Sequence, residues 1–172
     1  MSEPHRTLLL LRHAKSDYPD GVVDHDRPLS SRGIREGALA GEWIRATFGG
    51  VDAVLCSTAT RTRQTLERTG ITAPVQFVDR LYDATAGILI EEINGVQARF
   101  DDEVSTLLVI GHEPVMSSVA LGLADEESSN SAAAAQISQK YPTSSIAALR
   151  SSAPWDRWAL RGAELTEFHT AR

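Results

Sequence analysis

The chain alternates short, uniformly apolar segments with longer segments in which apolar residues recur at helical spacing. Apolar runs at residues 7–11, 51–56, 75–78 and 106–110 have the length of strands that are buried on both faces. The segments between them predict helices from about Ser30 to Gly49, from Ser57 or Thr58 to Gly70, around residues 89–96, and over 115–123. This order predicts an α/β fold, a three-layer sandwich in which helices cover both faces of a mainly parallel sheet.

The C-terminal third has a different pattern. Residues 125–140 are rich in Ser and Ala, which leaves open an Ala-driven helix or a mobile flap. Residues 146–149 and 155–160 predict two antiparallel strands joined by a turn at 151–154. Because no internal repeat or change in composition interrupts the chain, we expect a single domain over residues 1–172.

Charge and composition exclude some classes of function. The net charge of −6 argues against a nucleic-acid binder, which should be basic. The first apolar run is far shorter than the roughly 20 residues of a membrane-spanning helix, so no membrane partner is expected. The single Cys56 excludes an intrachain disulfide and predicts a buried thiol in a reducing compartment, the cytoplasm. Only two of the 17 basic residues are lysines, and the arginine guanidinium fits phosphate or carboxylate oxygens.

Three polar motifs follow three of the predicted strands directly. They are Arg12-His13-Ala14-Lys15-Ser16, then Ser57 with Arg61 and Thr65, and Gly111-His112-Glu113-Pro114. In an open parallel sheet the carboxyl ends of the strands form the edge where ligands bind. Two of the motifs also open a predicted helix, and a helix N-terminus favours an anion. The pattern indicates an anion site built from two histidines and several arginines.

These motifs resemble the signatures of the histidine phosphatase superfamily, and in particular its small SixA-type branch. Residues 10–16 are similar to the R-H-G/A signature, and residues 26–33 to the segment R-P-L-T-x-x-G. Residues 56–65 resemble S-P-x-x-R-A-x-Q-T, with Thr58 where the proline usually stands. The remaining matches are Leu81-Tyr82-Asp83-Ala84 to L-Y-x-A, Gly111-His112-Glu113-Pro114 to G-H-x-P, and Tyr141-Pro142-Thr143 to F/Y-P-T. The six motifs occur in order over nearly the whole chain.

The resemblance implies a role for each matching residue. His13 would be the nucleophile that becomes phosphorylated, and Arg12, Arg61 and His112 would bind the phosphoryl group, with Arg27 as a further ligand. Lys15 and Ser16 would either line the pocket or only shape the loop. The chemistry needs no metal and no cofactor, because cationic side chains can neutralise the charge on the transferred group. We expect a neutral imidazole at position 13 and a protonated one at position 112.

The proton donor for the leaving group is the least defined part of this site. Glu113 occupies the position of the acidic donor in another branch of the superfamily, and is a candidate for that role. The alternative role for Glu113 is structural, as a carboxylate that stabilises the N-terminus of the following helix. Asp24-His25-Asp26 is predicted to be a solvated turn and not a metal site, since the sequence holds no second ligand cluster with metal spacing.

The absence of a clear donor favours substrates with a good leaving group. The resemblance therefore predicts a phosphatase with a phosphohistidine intermediate that acts on phosphohistidine in signalling proteins. Two alternatives stay open. One is a phosphomonoesterase or a mutase that acts on small phosphorylated molecules, and the other is a phosphate-binding or phosphotransfer module that does not turn over.

Overall fold

The computed structural model describes residues 4–172, and its six strands form one sheet in the order β3-β2-β4-β1-β5-β6. The first four strands are mutually parallel, β5 pairs antiparallel with β1, and β6 pairs antiparallel with β5. The strands are β1 (Arg6–Arg12), β2 (Ala53–Ser57), β3 (Val75–Val78), β4 (Thr106–Gly111), β5 (Ser145–Ser151) and β6 (Glu164–Thr170). The predicted α/β class with a mainly parallel sheet is confirmed.

Five α-helices cover the two faces of this sheet. They are α1 (Ser31–Phe48), α2 (Thr60–Thr69), α3 (Ala86–Asn94), α4 (Val115–Leu123) and α5 (Ser131–Gln139). Alternate residues of β1 point to opposite layers, so Leu9 and Leu11 pack with α1 and α2, while Leu8 and Leu10 pack with the other three helices. Leu8, Leu9, Leu10 and Leu11 are fully buried between these two layers, which is why this stretch of β1 is uniformly apolar.

The caps of the first two helices differ in how well the sequence predicted them. α1 begins as expected, with the Ser30 hydroxyl accepting a hydrogen bond from the Gly33 N–H at 3.1 Å. The predicted cap of α2 by Ser57 or Thr58 is wrong, because Ala59 is the N-cap and offers no side chain. The hydroxyl groups of Ser57 and Thr58 instead contact His112 and His25 respectively.

The C-terminal region corrects one prediction and settles another. Residues 155–160 do not form a strand: Trp155–Arg157 is a 3₁₀-helix, and the last strand is β6. Trp155 and Trp158 are both buried, and the centroids of their stacked rings lie 4.9 Å apart. In a strand, residues three apart point to opposite faces, so a strand would not bring these two rings together. Residues 131–139 within the Ser/Ala-rich stretch form α5, the helical alternative.

α1 passes very close to the loop that follows β1. A Cβ atom added at Gly33 would lie 2.0 Å from the carbonyl oxygen of Lys15, so only glycine fits at that position. The Lys15 carbonyl also accepts hydrogen bonds from the N–H and hydroxyl groups of Ser30. The start of α1 therefore fixes the loop that carries His13. No helix within residues 4–172 is both long and apolar enough to cross a membrane.

Candidate active site

The three polar motifs meet at the carboxyl edge of three neighbouring strands. His13 follows β1, His112 follows β4, and Arg61 lies in the first turn of α2 just after β2. These strands are adjacent in the order β2-β4-β1, and the rings of His13 and His112 have centroids 5.3 Å apart. All three side chains are buried, so the predicted convergence is present in the structure.

The hydrogen bond of the His13 ring defines its tautomer. Its Nδ1 atom lies 2.7 Å from the carbonyl oxygen of Ala14, which can only accept a hydrogen bond. Nδ1 must therefore carry the proton, and Nε2 keeps a free lone pair. An imidazole held in this way is a nucleophile at Nε2.

Hydrogen bonds join the loop after β1 to α2. The Ala14 N–H donates to the Thr65 hydroxyl at 2.9 Å, and that hydroxyl donates to the carbonyl of Arg61 at 2.7 Å. Gln64 accepts a hydrogen bond from the Leu29 N–H at 2.8 Å and so ties the segment after Arg27 to the same helix. The polar residues of the α2 motif thus connect the segments that carry His13, Arg27 and Arg61.

Three buried nitrogen atoms at this edge make no hydrogen bond within residues 4–172. They are Nε of Arg12, Nε of Arg61 and Nδ1 of His112, and the only other buried side-chain atom in that condition is the Ser144 hydroxyl. Buried polar atoms are nearly always hydrogen-bonded, so three orphans in one place require an explanation. Each can donate a hydrogen bond, and together they form a set of donors that suits an oxyanion.

The structure holds both histidines neutral near pH 7. Burial lowers the pKa of His13 to about 3, with further contributions from His112 and Arg61. Burial and the charge of Arg61 lower the pKa of His112 to about 4. The expectation of a protonated His112 is therefore wrong for this arrangement of charges. A neutral His112 still donates from Nδ1 if its Nε2 accepts the Ser57 hydroxyl proton across their 2.8 Å contact.

The remaining predicted ligands, Arg27, Ser16 and Lys15, differ in the contacts that they make. Arg27 and Ser16 contact each other, because the Arg27 Nη1 atom donates to the Ser16 hydroxyl at 2.6 Å. The Arg27 guanidinium also lies over the ring of Tyr18 at 4.1 Å from its centroid. The side chain of Lys15 is exposed and makes no hydrogen bond in the described chain; only its carbonyl anchors α1. Ser16 thus supports Arg27, and the backbone of Lys15 holds the loop; a role of either residue in lining the pocket stays a prediction.

Glu113 has both carboxylate oxygens engaged at the start of α4. One accepts from the Ser117 N–H at 2.7 Å and the other from the Ser117 hydroxyl at 2.8 Å. This is the geometry of a helix N-terminal carboxylate. It favours the structural alternative for Glu113 over the proton donor.

Asp24 is the residue at this site that sequence reasoning missed. The segment Asp24–Asp26 was expected to be a solvated turn, but it is a 3₁₀-helix whose first carboxylate contacts both Arg61 and Arg27. The Tyr82 hydroxyl donates to the same carboxylate, and this bond, together with the arginines, holds the pKa of Asp24 well below its usual range. The only signal in the sequence was an acidic residue three positions before Arg27. Residues 4–172 contain no group of three or more His, Cys, Asp or Glu that could hold a metal.

Comparison with known proteins decides the family. The model of the histidine phosphatase superfamily (branch 1) matches residues 8–109, which includes His13 and Arg61. The chain belongs to the histidine phosphatase superfamily. It is 55% identical to the uncharacterized protein Rv1276c of Mycobacterium tuberculosis over 162 residues, which cover 94% of this chain and 100% of that protein.

Solved structures of the superfamily share this fold. A protein designated phosphohistidine phosphatase SixA from Nakamurella multipartitia superposes with a TM-score of 0.86 at 35% identity, covering 97% of this chain and 96% of that one. A protein of the same designation from Agrobacterium tumefaciens gives a TM-score of 0.74 at 25% identity, covering 96% and 98%. This histidine phosphatase is thus a phosphatase of the SixA-type branch.

The two buried histidines should make the stability of this histidine phosphatase depend on pH. The pKa values of His13 and His112 in the folded chain, about 3 and about 4, lie below the value of about 6.5 for a histidine in an unfolded chain. Between about pH 4 and pH 6.5 the unfolded chain therefore binds more protons than the folded chain. Stability should be full above about pH 6.5 and should fall as the pH drops, by roughly 2 kcal/mol per histidine between pH 7.5 and pH 5. Urea unfolding at the two pH values measures this loss.

A double variant isolates the contribution of the two histidines to the pH dependence of stability. In His13→Asn/His112→Asn the loss of stability between pH 7.5 and pH 5 should shrink by most of this amount, whatever the absolute stability of the variant. The wild type and the double variant carry the same aspartates and glutamates, so the contribution of these groups cancels in the comparison. An unchanged loss in the double variant would contradict the assigned pKa directions.

Proposed function

We propose that this chain hydrolyses phosphohistidine in proteins, without a metal, through a phosphoryl group carried on Nε2 of His13. The observation that carries the proposal is the free lone pair of His13 next to three buried donors that lack a protein acceptor. A nucleophile and an oxyanion-binding set at one point are the two requirements of phosphoryl transfer through a covalent intermediate.

The first step is an in-line displacement at phosphorus. Nε2 of His13 forms a bond to phosphorus while the phosphorus–nitrogen bond of the substrate breaks, and its electron pair goes to the leaving imidazole. When the other nitrogen of that imidazole carries a proton, the group leaves as neutral imidazole and needs no acid from the protein. Arg12, Arg61 and His112, with Arg27 as a further ligand, would bind the equatorial oxygens, on which the negative charge lies during transfer.

The second step returns the enzyme to its starting form. A water molecule attacks phosphorus, the bond from phosphorus to Nε2 breaks, and one water proton is transferred to the phosphate product or to solvent. His13 leaves with the electron pair on Nε2 and the proton still on Nδ1, where the Ala14 carbonyl accepts its hydrogen bond. The same tautomer therefore serves as nucleophile in the first step and as leaving group in the second.

The state of Glu113 supports the choice of substrate. Hydrolysis of a serine or sugar phosphate expels an alkoxide, which needs a proton donor. Both oxygens of Glu113 are engaged by Ser117, so its donation would require α4 to lose this N-terminal contact. Phosphohistidine avoids the requirement, and the Nakamurella relative is designated a phosphohistidine phosphatase. The cytoplasmic location and the lack of a nucleic-acid partner stay predictions.

A comparison of two phosphopeptides tests this function. We expect kcat/KM for release of phosphate to be at least about a hundredfold higher with a phosphohistidine peptide than with a phosphoserine peptide of otherwise the same sequence. The reason is that only the phosphoserine peptide needs a general acid to protonate its leaving group. Chelator should leave the rate unchanged. Comparable rates on both peptides would favour a general phosphomonoesterase, and one equivalent of labelled protein without turnover would favour a phosphotransfer module.

A further inference from the structure

The carboxylate of Asp24 binds the same arginines that are assigned to the phosphoryl group. Its Oδ2 atom accepts from Nη2 of Arg61 at 3.1 Å, and its Oδ1 atom accepts from Nε of Arg27 at 3.0 Å. The main-chain carbonyl of Asp24 accepts from Nη1 of Arg61 at 2.8 Å. Through these contacts Asp24 engages both Nη groups of Arg61.

The two sides of this contact differ in exposure. The side chain of Asp24 is 56% exposed, whereas those of Arg61 and Arg27 are 8% and 12% exposed. The arginines are thus fixed in the protein, and the carboxylate approaches them from the solvent side. Asp24 also belongs to the irregular segment between β1 and α1, where its 3₁₀-helix has no buried residue.

A phosphoryl group and this carboxylate require the same two guanidinium groups, although Nε of Arg61 is not used by Asp24. Both are anions whose oxygens accept hydrogen bonds from guanidinium groups. Two anions bound side by side on these arginines would repel each other in a partly buried site, where the screening by water is reduced. Binding of phosphate at Arg27 and Arg61 must therefore displace the Asp24 carboxylate, or be weakened by it.

We propose that Asp24 is an internal competitor for the phosphate-binding arginines and determines how weakly this site holds inorganic phosphate. The competition weakens the binding of every phosphoryl ligand, and it matters most for the product. Phosphate is small and makes no contact beyond the site, whereas a phosphoprotein contributes contacts outside it. Asp24 thus weakens the hold of the site on phosphate, while contacts outside the site still bind the substrate. The inference rests on the proposed function only in placing a phosphoryl group on Arg27 and Arg61.

Direct binding of inorganic phosphate tests the proposal without any turnover. We expect Asp24→Asn to lower the Kd of phosphate about tenfold in calorimetric titration at 0.15 M salt, because the substitution removes the competing charge but keeps the shape of the side chain. Tyr82→Phe should lower the Kd by a smaller factor, since it only loosens the hold on the carboxylate. Asp26→Asn is the matched control: it makes the same change of charge two residues away, on a carboxylate that lies 3.6 Å from Nδ1 of His25 and, within residues 4–172, makes no ion pair with Arg27 or Arg61.

The possible results of the phosphate titration either support or overturn the proposal. Tighter binding in Asp24→Asn with no change in Asp26→Asn supports the competitor. A Kd that rises or stays the same in Asp24→Asn overturns it and makes Asp24 a residue that positions the arginines, and an equal fall in both variants shows a general charge effect and also overturns it. Failure of the proposed function would show separately, as wild-type protein that binds phosphate but does not hydrolyse the phosphohistidine peptide.

Discussion

Replacement of His13 by alanine is expected to reduce phosphatase turnover by a factor of about a thousand or more. The substitution removes the one imidazole whose Nε2 lone pair is both free and adjacent to Arg61 and His112. Water would then have to attack the substrate directly, in a site that keeps the proposed phosphoryl ligands but offers no nucleophile. Phosphate release from an aryl phosphate, followed over many enzyme equivalents, measures the effect and needs no phosphoprotein.

The control for this experiment is another histidine next to the same strand. His5 is exposed just before β1, at the opposite end of the strand from His13, and His5→Ala should retain wild-type turnover. A radioactive phosphoryl label that is acid-labile, present on the wild-type protein and absent from His13→Ala, would identify the covalent intermediate. Turnover in His13→Ala within tenfold of the wild type would mean that phosphoryl transfer does not pass through this residue.

The convergence of His13, Arg61 and His112 could be predicted from the sequence because it follows from the parallel direction of the strands. Each residue lies one to four positions beyond a strand that the apolar pattern identifies, and parallel strands bring such positions to one edge. The same reasoning failed for Trp155, since a local pattern cannot tell an apolar strand from residues that pack on one side of a turn. In the structure Trp155–Arg157 is a 3₁₀-helix, and the Trp155 indole donates to the carbonyl of Val104 at 2.6 Å.

The charge states at the site could not be predicted from the sequence. The pKa of His112 depends on how deeply its ring is buried and how near Arg61 lies, and both are properties of the folded chain. Asp24 is a further example, because its sequence context predicts a solvated turn whereas its contacts join Arg27, Arg61 and Tyr82. Contacts that join residues from three separate segments of the chain leave no periodic pattern in the sequence.

The close approach of α1 to the loop that carries His13 gives the second large expected effect, that of Gly33→Ala. The new Cβ would lie 2.0 Å from the carbonyl oxygen of Lys15, and neither the loop nor α1 can yield without breaking the hydrogen bonds from Ser30. We expect a loss of about 3 kcal/mol in the free energy of unfolding. The folded fraction should also lose most of its kcat, since the displaced loop carries His13.

Two other glycines separate the effect on stability from the effect on activity. Gly41→Ala produces an equal clash, 2.0 Å from the carbonyl oxygen of Thr69, but at the end of α2 that is distant from Arg61. It should lower the free energy of unfolding comparably while the folded protein retains kcat. Gly87 has no neighbour of its added Cβ closer than 3.9 Å, so Gly87→Ala should be neutral or stabilise α3 by up to about 1 kcal/mol. If Gly33→Ala and Gly41→Ala lost stability equally and kept the same kcat, the close contact between α1 and the Lys15 carbonyl would not position the nucleophile.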